Sequence, residues 1–201
     1  MNSAQLPGGS GPAIVVGADG ATGTGRRRWW PAAALLTAVA VVLSMTAGPV
    51  SAARQTFDDR AHDANRGVDI RGVTIVNEDS VLVRTRFDRL QRQGSTGLTV
   101  YFDTRRRNRG PEYAAVGGLF VGTDWQALRI DGWRDRSPQL LMHCDIDLRV
   151  RYGRGGTATY ELARGCLRRP DEIRVSARSG GPGPDDWAPR HRTFYRAVDH
   201  R

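Results

Sequence analysis

An all-β fold, a two-sheet antiparallel β-sandwich of jelly-roll-like kind with about nine strands, is predicted by two observations. Apolar and polar residues alternate at period two from residue 68 onward, and no window of eleven or more residues shows clean helical spacing. Turn clusters punctuate that alternation: Asn77-Glu78-Asp79, Gly94 to Gly97, Asn108-Arg109-Gly110-Pro111, Gly153 to Gly156 and Gly180 to Pro184. Between them the predicted strands run over 68–76, 80–87, 97–102, 113–121, 127–131, 140–152, 157–164, 172–178 and 193–198.

The segments before this domain read differently. Residues 1–25 are rich in Gly, Ala and Ser with one charge, Asp19, and predict an unstructured extension. Arg26-Arg27-Arg28 then precede an apolar run from Ala32 to Ala47 and the small residues of 48–53. That order is the positive, apolar and small-residue sequence of an export signal, so residues 26–52 are expected to be a signal peptide helix cleaved after Ala52. The alternative is retention of residues 32–52 as a membrane anchor of about 20 residues. Export makes the mature protein secreted, with the membrane touched only through the N-terminal segment if it is uncleaved.

Removing residues 1–52 takes away three Arg and one Asp from 30 basic and 21 acidic residues, and leaves 27 Arg against 20 acids, +7 over 149 residues. A chain of that size holds one real core, so residues 53–201 are expected to form a single domain. Every basic residue is Arg. A bias that uniform reflects coding composition more than ligand chemistry, and no specific nucleic acid is implied.

The even residues Cys144, Ile146, Leu148, Val150 and Tyr152 are apolar and alternate with charged ones, as do Ala158, Tyr160 and Leu162 in the next strand. A hairpin that sets Tyr152 against Ala158, Val150 against Tyr160 and Leu148 against Leu162 also sets Cys144 against Cys166. A disulfide between the two is predicted, in keeping with an oxidising compartment. The same register points Arg164 inward opposite Ile146, where a bulge would shift the pairing, and places Arg149 opposite Glu161. Free thiols serving as a metal or redox site would need a second ligand pair or a C-x-x-C, and the chain has neither.

Phe57-Asp58-Asp59-Arg60-Ala61-His62-Asp63, Val68 to Ile75, Leu98 to Thr104, Gly110-Pro111-Glu112-Tyr113, Cys166-Leu167 with Pro170, and Asp185-Asp186-Trp187-Ala188-Pro189 carry a resemblance. They resemble a group of uncharacterised secreted bacterial β-sandwich proteins, themselves distantly similar to DOMON and family-nine carbohydrate-binding-module domains. The matching motifs are structural, so the resemblance implies the sandwich fold and no catalytic residue.

Four groups of residues are candidates for a site. Asp58, Asp59, Asp63 and Asp69 are the densest acidic cluster, and carboxylates from one loop supply about half of the six to eight oxygens that calcium takes. Without calcium they lead, solvated, into the first strand, with Asp69 paired to an Arg. Arg105, Arg106, Arg107 and Arg109 form a cationic turn suited to phosphate, sulfate or an acidic polysaccharide, or simply a solubilising hairpin tip. Tyr101 falls on the outward parity of its strand and, with Trp125, Trp133 and Trp187, is a candidate platform for stacking on a sugar; otherwise these rings pack over the edge of the core. His143, Asp145 and Asp147 alternate along one strand, but His143 and Asp147 then stand about 13 Å apart, too far to share an ion.

No G-x-S-x-G, H-E-x-x-H or Gly-rich phosphate loop occurs, and His62, His143, His191 and His200 have no adjacent nucleophile. The expected function is therefore non-catalytic binding of a glycan or an anionic envelope polymer outside the cell. A secreted hydrolase on the same scaffold and a structural or protein-interaction module are the alternatives.

Overall fold

A computed structural model of the protein describes residues 53–65 and 67–201. The predicted extension, signal peptide and anchor, all within residues 1–52, lie outside the described residues.

The described chain is all-β. Its strands are β1 (Arg54–Asp58), β2 (Ile70–Asn77), β3 (Ser80–Phe87), β4 (Arg89–Leu90), β5 (Gly97–Asp103), β6 (Tyr113–Gly118) and β7 (Trp125–Arg129). They continue as β8 (Gln139–Leu140), β9 (Ile146–Arg151), β10 (Gly153–Arg154), β11 (Thr157–Ala163), β12 (Glu172–Gly180), β13 (Asp186–Ala188) and β14 (Val198–Asp199), with one 3-10 turn, η1 (Arg164–Leu167), between β11 and β12. One sheet has the order β1-β2-β3-β11-β9. The other has the order β13-β12-β5-β6-β7-β8, with β14 also on β12, while β4 and β10 form a small ribbon of their own.

The alternation that predicts the strands also builds the core. Val73 and Ile75 of β2, Val81, Val83 and Phe87 of β3, and Ala158, Tyr160 and Leu162 of β11 face inward from the first sheet. Leu98, Val100 and Phe102 of β5 meet them from the second, with Ile173, Val175 and Ala177 of β12. Ile70 joins the same core although its parity is opposite to that of Val73, because the β2–β3 register shifts between Ile70 and Gly72. Each large side chain so buried stabilises the fold by roughly 1.5–3 kcal/mol.

Tyr160 is the largest fully buried side chain, and its hydroxyl donates to the Leu98 carbonyl at 3.1 Å. Gly117 makes the room: a Cβ there would lie 2.8 Å from the Tyr160 oxygen and 2.9 Å from Trp125 Cβ.

The hairpin register differs from the predicted one by two residues. Ala158 lies opposite Val150, Tyr160 opposite Leu148 and Leu162 opposite Ile146. An even slip keeps every side chain on its predicted face. Its cause is Arg164, since the predicted register would put a guanidinium in the core opposite Ile146, where an unpaired charge is costly. Instead β11 stops at Ala163, Leu162 takes the place beside Ile146, and Arg164 turns out into η1 to donate to the carbonyls of Arg169 and Pro170.

The Cys144–Cys166 disulfide is present, with the Cα atoms 5.3 Å apart, but it joins the segment before β9 to η1 and is not a cross-strand pair. Arg149 lies opposite Thr159 and reaches Glu161 on the diagonal, where its guanidinium also meets Asp147 at 3.5 Å.

The predicted strand over 140–152 is in fact two strands in different sheets. Gln139–Leu140 belongs to the second sheet and Ile146–Arg151 to the first, and residues 141–145 cross between them with the Cys144 N–H donating to the Leu141 carbonyl. Of the last predicted strand, 193–198, only Val198 pairs in a ladder, opposite Ile173, and the strand runs on to Asp199. The unpredicted strands are β1, β4, β10 and β13, all short.

Candidate functional site

Three regions carry the predicted site residues, and their geometry separates them.

The acidic residues gather where β1 hands over to β2. Asp59 and Asp63 lie in that connection, Asp69 stands just before β2, and Asp186 opens β13. Carboxylate oxygens of Asp63, Asp69 and Asp186 all lie within 4.8 Å of one another. Asp69 and Asp186 are buried, at 0% and 4% exposure, and main-chain donors hold both. Asp186 accepts the Ile70 N–H at 2.6 Å on one oxygen and the Trp187 N–H at 2.7 Å on the other. Asp69 accepts the His62 N–H at 3.1 and 3.2 Å, and the Arg71 guanidinium stands 3.5 Å away.

Asp59 belongs to the same group. Burial, and after it the charges of Asp186, Asp63 and Asp69, raise its carboxyl to about 7 against a lowering main-chain hydrogen bond from Arg60. Burial likewise raises Asp186, with Asp63 and Asp69 adding to it and the bonds from Ile70 and Trp187 opposing. Two buried atoms here have no hydrogen-bond partner among the described residues: Asp59 Oδ2 and the hydroxyl of Tyr195.

Asp58, counted with this cluster on sequence proximity, is elsewhere. Consecutive strand residues face opposite ways, and Asp58 pairs with Arg86 at 3.1 Å on the exposed face of β1 and β3. Asp186 takes its place. The sequence does carry a signal for it: Asp186 and Ala188 share one parity of β13, the buried one, so this aspartate faces inward.

The arginine turn lies at the other end of β5. Arg106 is occupied by an ion pair with Glu172. Arg105 instead lines a cleft of about 490 Å³ together with Arg129 and Arg168, two residues the sequence reading did not single out. Gly110, at φ 140°, lets the two loops that frame the cleft close up, because a Cβ there would sit 3.1 Å from Gly132 Cα. Main-chain bonds from Ile130 to Glu112 and from Gly132 to Pro111 fix them together.

Two of the three carboxylates in the cleft are tied to its own walls. Glu112 accepts from the Thr104 N–H at 2.9 Å and Asn108 at 2.7 Å, and Asp135 accepts from the N–H groups of Asp131 and Ser137 at 2.8 and 2.7 Å. Among the described residues no ion pair engages Arg105, Arg129 or Arg168. The same holds for Arg107 and Arg109 of the arginine turn and for Arg134 and Arg136 of the facing loop.

The aromatic residues do not form an open platform. Tyr101 does point away from the main core, but other rings cover it and its exposure is only 9%. Trp187 stacks on it with centroids 5.7 Å apart and planes 3° from parallel, and Trp133 meets it edge-on at 5.1 Å. Phe194 continues the stack onto Trp133 at 4.7 Å, and His191 closes the edge of Trp187. Arg174 and Arg178 lie over the Phe194 and Trp187 rings. This is a second, small apolar cluster on the outer face of the larger sheet. Trp125 has no part in it, being 40% exposed with its indole N–H on the Ile146 carbonyl at 3.0 Å.

His143, Asp145 and Asp147 do not converge. His143 and Asp145 lie in the crossing segment, only Asp147 is in β9, and it faces Arg149. No family model matches the chain, and no curated protein matches it.

Proposed function

We propose that this chain is an exported, non-catalytic β-sandwich module that binds an anionic polymer at or beyond the cell envelope. The observation that carries the reading is the cleft beside the arginine turn, where Arg105, Arg129 and Arg168 converge with no ion pair to occupy them. A guanidinium left without a carboxylate keeps its fork of N–H donors for a ligand oxyanion, and the fork matches carboxylate, sulfate and phosphate alike. Arg107 and Arg109 of the arginine turn and Arg134 and Arg136 of the facing loop are exposed and add positive charge to the segments that line the cleft. Repeated anionic groups on a polymer would meet several of them at once, and the net positive charge steers the approach.

Export accords with the disulfide, which persists in an oxidising compartment. Among the described residues no helix is long and apolar enough to cross a membrane. A neutral glycan stacked on Tyr101 is less favoured, because Trp187 already stacks on that ring, Trp133 meets it edge-on, and only 9% of the residue is exposed.

Retention of the purified protein on immobilised heparin and on polygalacturonate, with dextran as the neutral comparison, tests the reading. Retention on the two acidic matrices alone is expected, falling steeply with added salt and lost in the Arg105→Ala/Arg129→Ala/Arg168→Ala variant. Equal retention on dextran, or retention unchanged in that variant, refutes it.

A further inference from the structure

We propose that Asp59, Asp63, Asp69 and Asp186 form a divalent-cation site of calcium type that fastens the 59–69 segment to β13. The inference is independent of polymer binding.

The spacing fits one ion. Calcium–oxygen bonds of about 2.3–2.6 Å put ligands on opposite sides of the ion about 4.6–5.2 Å apart. The oxygens of Asp63, Asp69 and Asp186, all within 4.8 Å of one another, fall inside that span. Magnesium demands a near-ideal octahedron and keeps several of its waters, so a site supplied mainly by protein oxygens favours calcium. Oxygen donors alone, with no Cys or His among them, select a hard cation over zinc or copper.

Tyr195 points to a ligand independently of the carboxylates. Its side chain is 7% exposed, its hydroxyl has no partner among the described residues, and the charges of Asp59, Asp186 and Asp58 all reach it. Asp59 Oδ2 is also buried and also without a partner, so the two atoms are not bonded to each other. An orphaned buried polar atom costs about 1–3 kcal/mol, so each of the two is expected to have a partner. Two such atoms left open within reach of the charges of three converging carboxylates call for a third party that satisfies both.

The charge balance agrees. Among the described residues one guanidinium, that of Arg71, stands at ion-pair distance from the four aspartates, 3.5 Å from Asp69. A divalent ion offsets what Arg71 leaves. The two most buried ligands are already oriented, Asp69 by the His62 N–H and Asp186 by the N–H groups of Ile70 and Trp187, so little ordering remains to be done on binding. Water and main-chain carbonyls complete a sphere of six to eight oxygens.

The test is calorimetric titration of the full chain, stripped with EDTA and desalted, with calcium chloride and then magnesium chloride. One calcium per chain is expected, at least about tenfold tighter than magnesium, with a rise in melting temperature that saturates with the heat. Asp63→Asn should weaken calcium at least about tenfold, and because Asp63 is exposed the variant should keep the fold. Asp186→Asn also removes the anchor of the Ile70 N–H, so Asp63→Asn is the decisive substitution. Asp58→Asn should leave affinity unchanged. Neither heat nor a melting shift up to about 10 mM calcium, a concentration above the range of weak extracellular sites, overturns the proposal, and so does undiminished binding by Asp63→Asn.

Discussion

Reduction of Cys144–Cys166 tests the part of the fold where the predicted and observed registers part. The bond joins residues 22 apart. The loop-entropy relation gives about 3 kcal/mol for a closure of that length, taken from the unfolded state. For a domain of this size each kcal/mol moves the melting temperature by roughly 2–4 °C, so reduction should lower it by roughly 6–12 °C. Comparing the oxidised and dithiothreitol-reduced forms of one protein keeps the sulfur atoms in place. Truncation to Ala would also remove packing, since both cysteines lie against the core. Thermal melts followed by far-ultraviolet circular dichroism give the shift, and amide exchange gives its location. Exchange should accelerate first over 141–145 and 164–169, the two segments the bond ties together. Melting curves that agree within about 2 °C, or two titratable thiols in the unreduced native protein, would refute the reasoning.

Gly117→Ala should cost about 1–3 kcal/mol in urea denaturation, because the new methyl meets the Tyr160 oxygen and the Trp125 Cβ inside normal contact distance. Tyr160→Phe should cost about 0.5–1.5 kcal/mol through the lost bond to Leu98, and the double variant should be less destabilised than the sum by at least about 0.5 kcal/mol. Strict additivity would mean that the tyrosine hydroxyl is not what Gly117 accommodates. In EDTA, Asp59 should make stability pH-dependent with a definite sign. Its folded value, about 7, lies above its ordinary 3.8, so the native state holds the proton more tightly. Its contribution is therefore intact below about pH 4 and is lost as the pH rises through about 7. The melting temperature of the wild type relative to Asp59→Asn should fall over that interval, and in calcium the trend should reverse as the departing proton makes way for the ion. A relative melting temperature flat from pH 4 to 8 in EDTA would contradict this. Retention on acidic matrices and titration with calcium, set out above, complete the tests.

Period two is legible wherever a strand has one buried and one open face, and β3 and β5 lie where it puts them. It fails at 139–152 because alternation records which residues could share a face and says nothing about which sheet supplies it. Leu140 and Met142 keep the parity of Ile146 and Leu148 yet are 48% and 75% exposed, since the chain there is changing sheets. β1 and β13 escape for a different reason. Each borders its sheet, carries at most one large apolar side chain at a contact, and is held in place by the ladder of the strand beside it, a cause that lies in β2 and β12. The hairpin register depended on where one arginine would not go. Parity fixed the faces, but only the exit of Arg164 from β11 chose between registers two residues apart.

The sites show the same limit more sharply, because proximity in sequence and proximity in space disagree in both directions. Asp58 is adjacent to Asp59 and faces away from it, whereas Asp186 is 116 residues from the Ile70 N–H it accepts. Arg106 belongs to the arginine turn and is spent on Glu172, whereas Arg129 and Arg168 arrive at the cleft from separate elements. β12 gives the two sites their separation. Asp186 stands opposite Ser179 near one end of that strand, and Asp103, two residues before Arg105, stands opposite Arg174 near the other. Five residues of strand put those rungs about 17 Å apart. That is about twice the screening length at physiological salt, so the acidic and basic ends neither neutralise each other nor report on each other. The +7 carried by residues 53–201 thus includes two local fields of opposite sign. Added salt should therefore release an acidic polymer from the arginine cleft while a chelated cation, bound among buried carboxylates where screening is weak, stays in place.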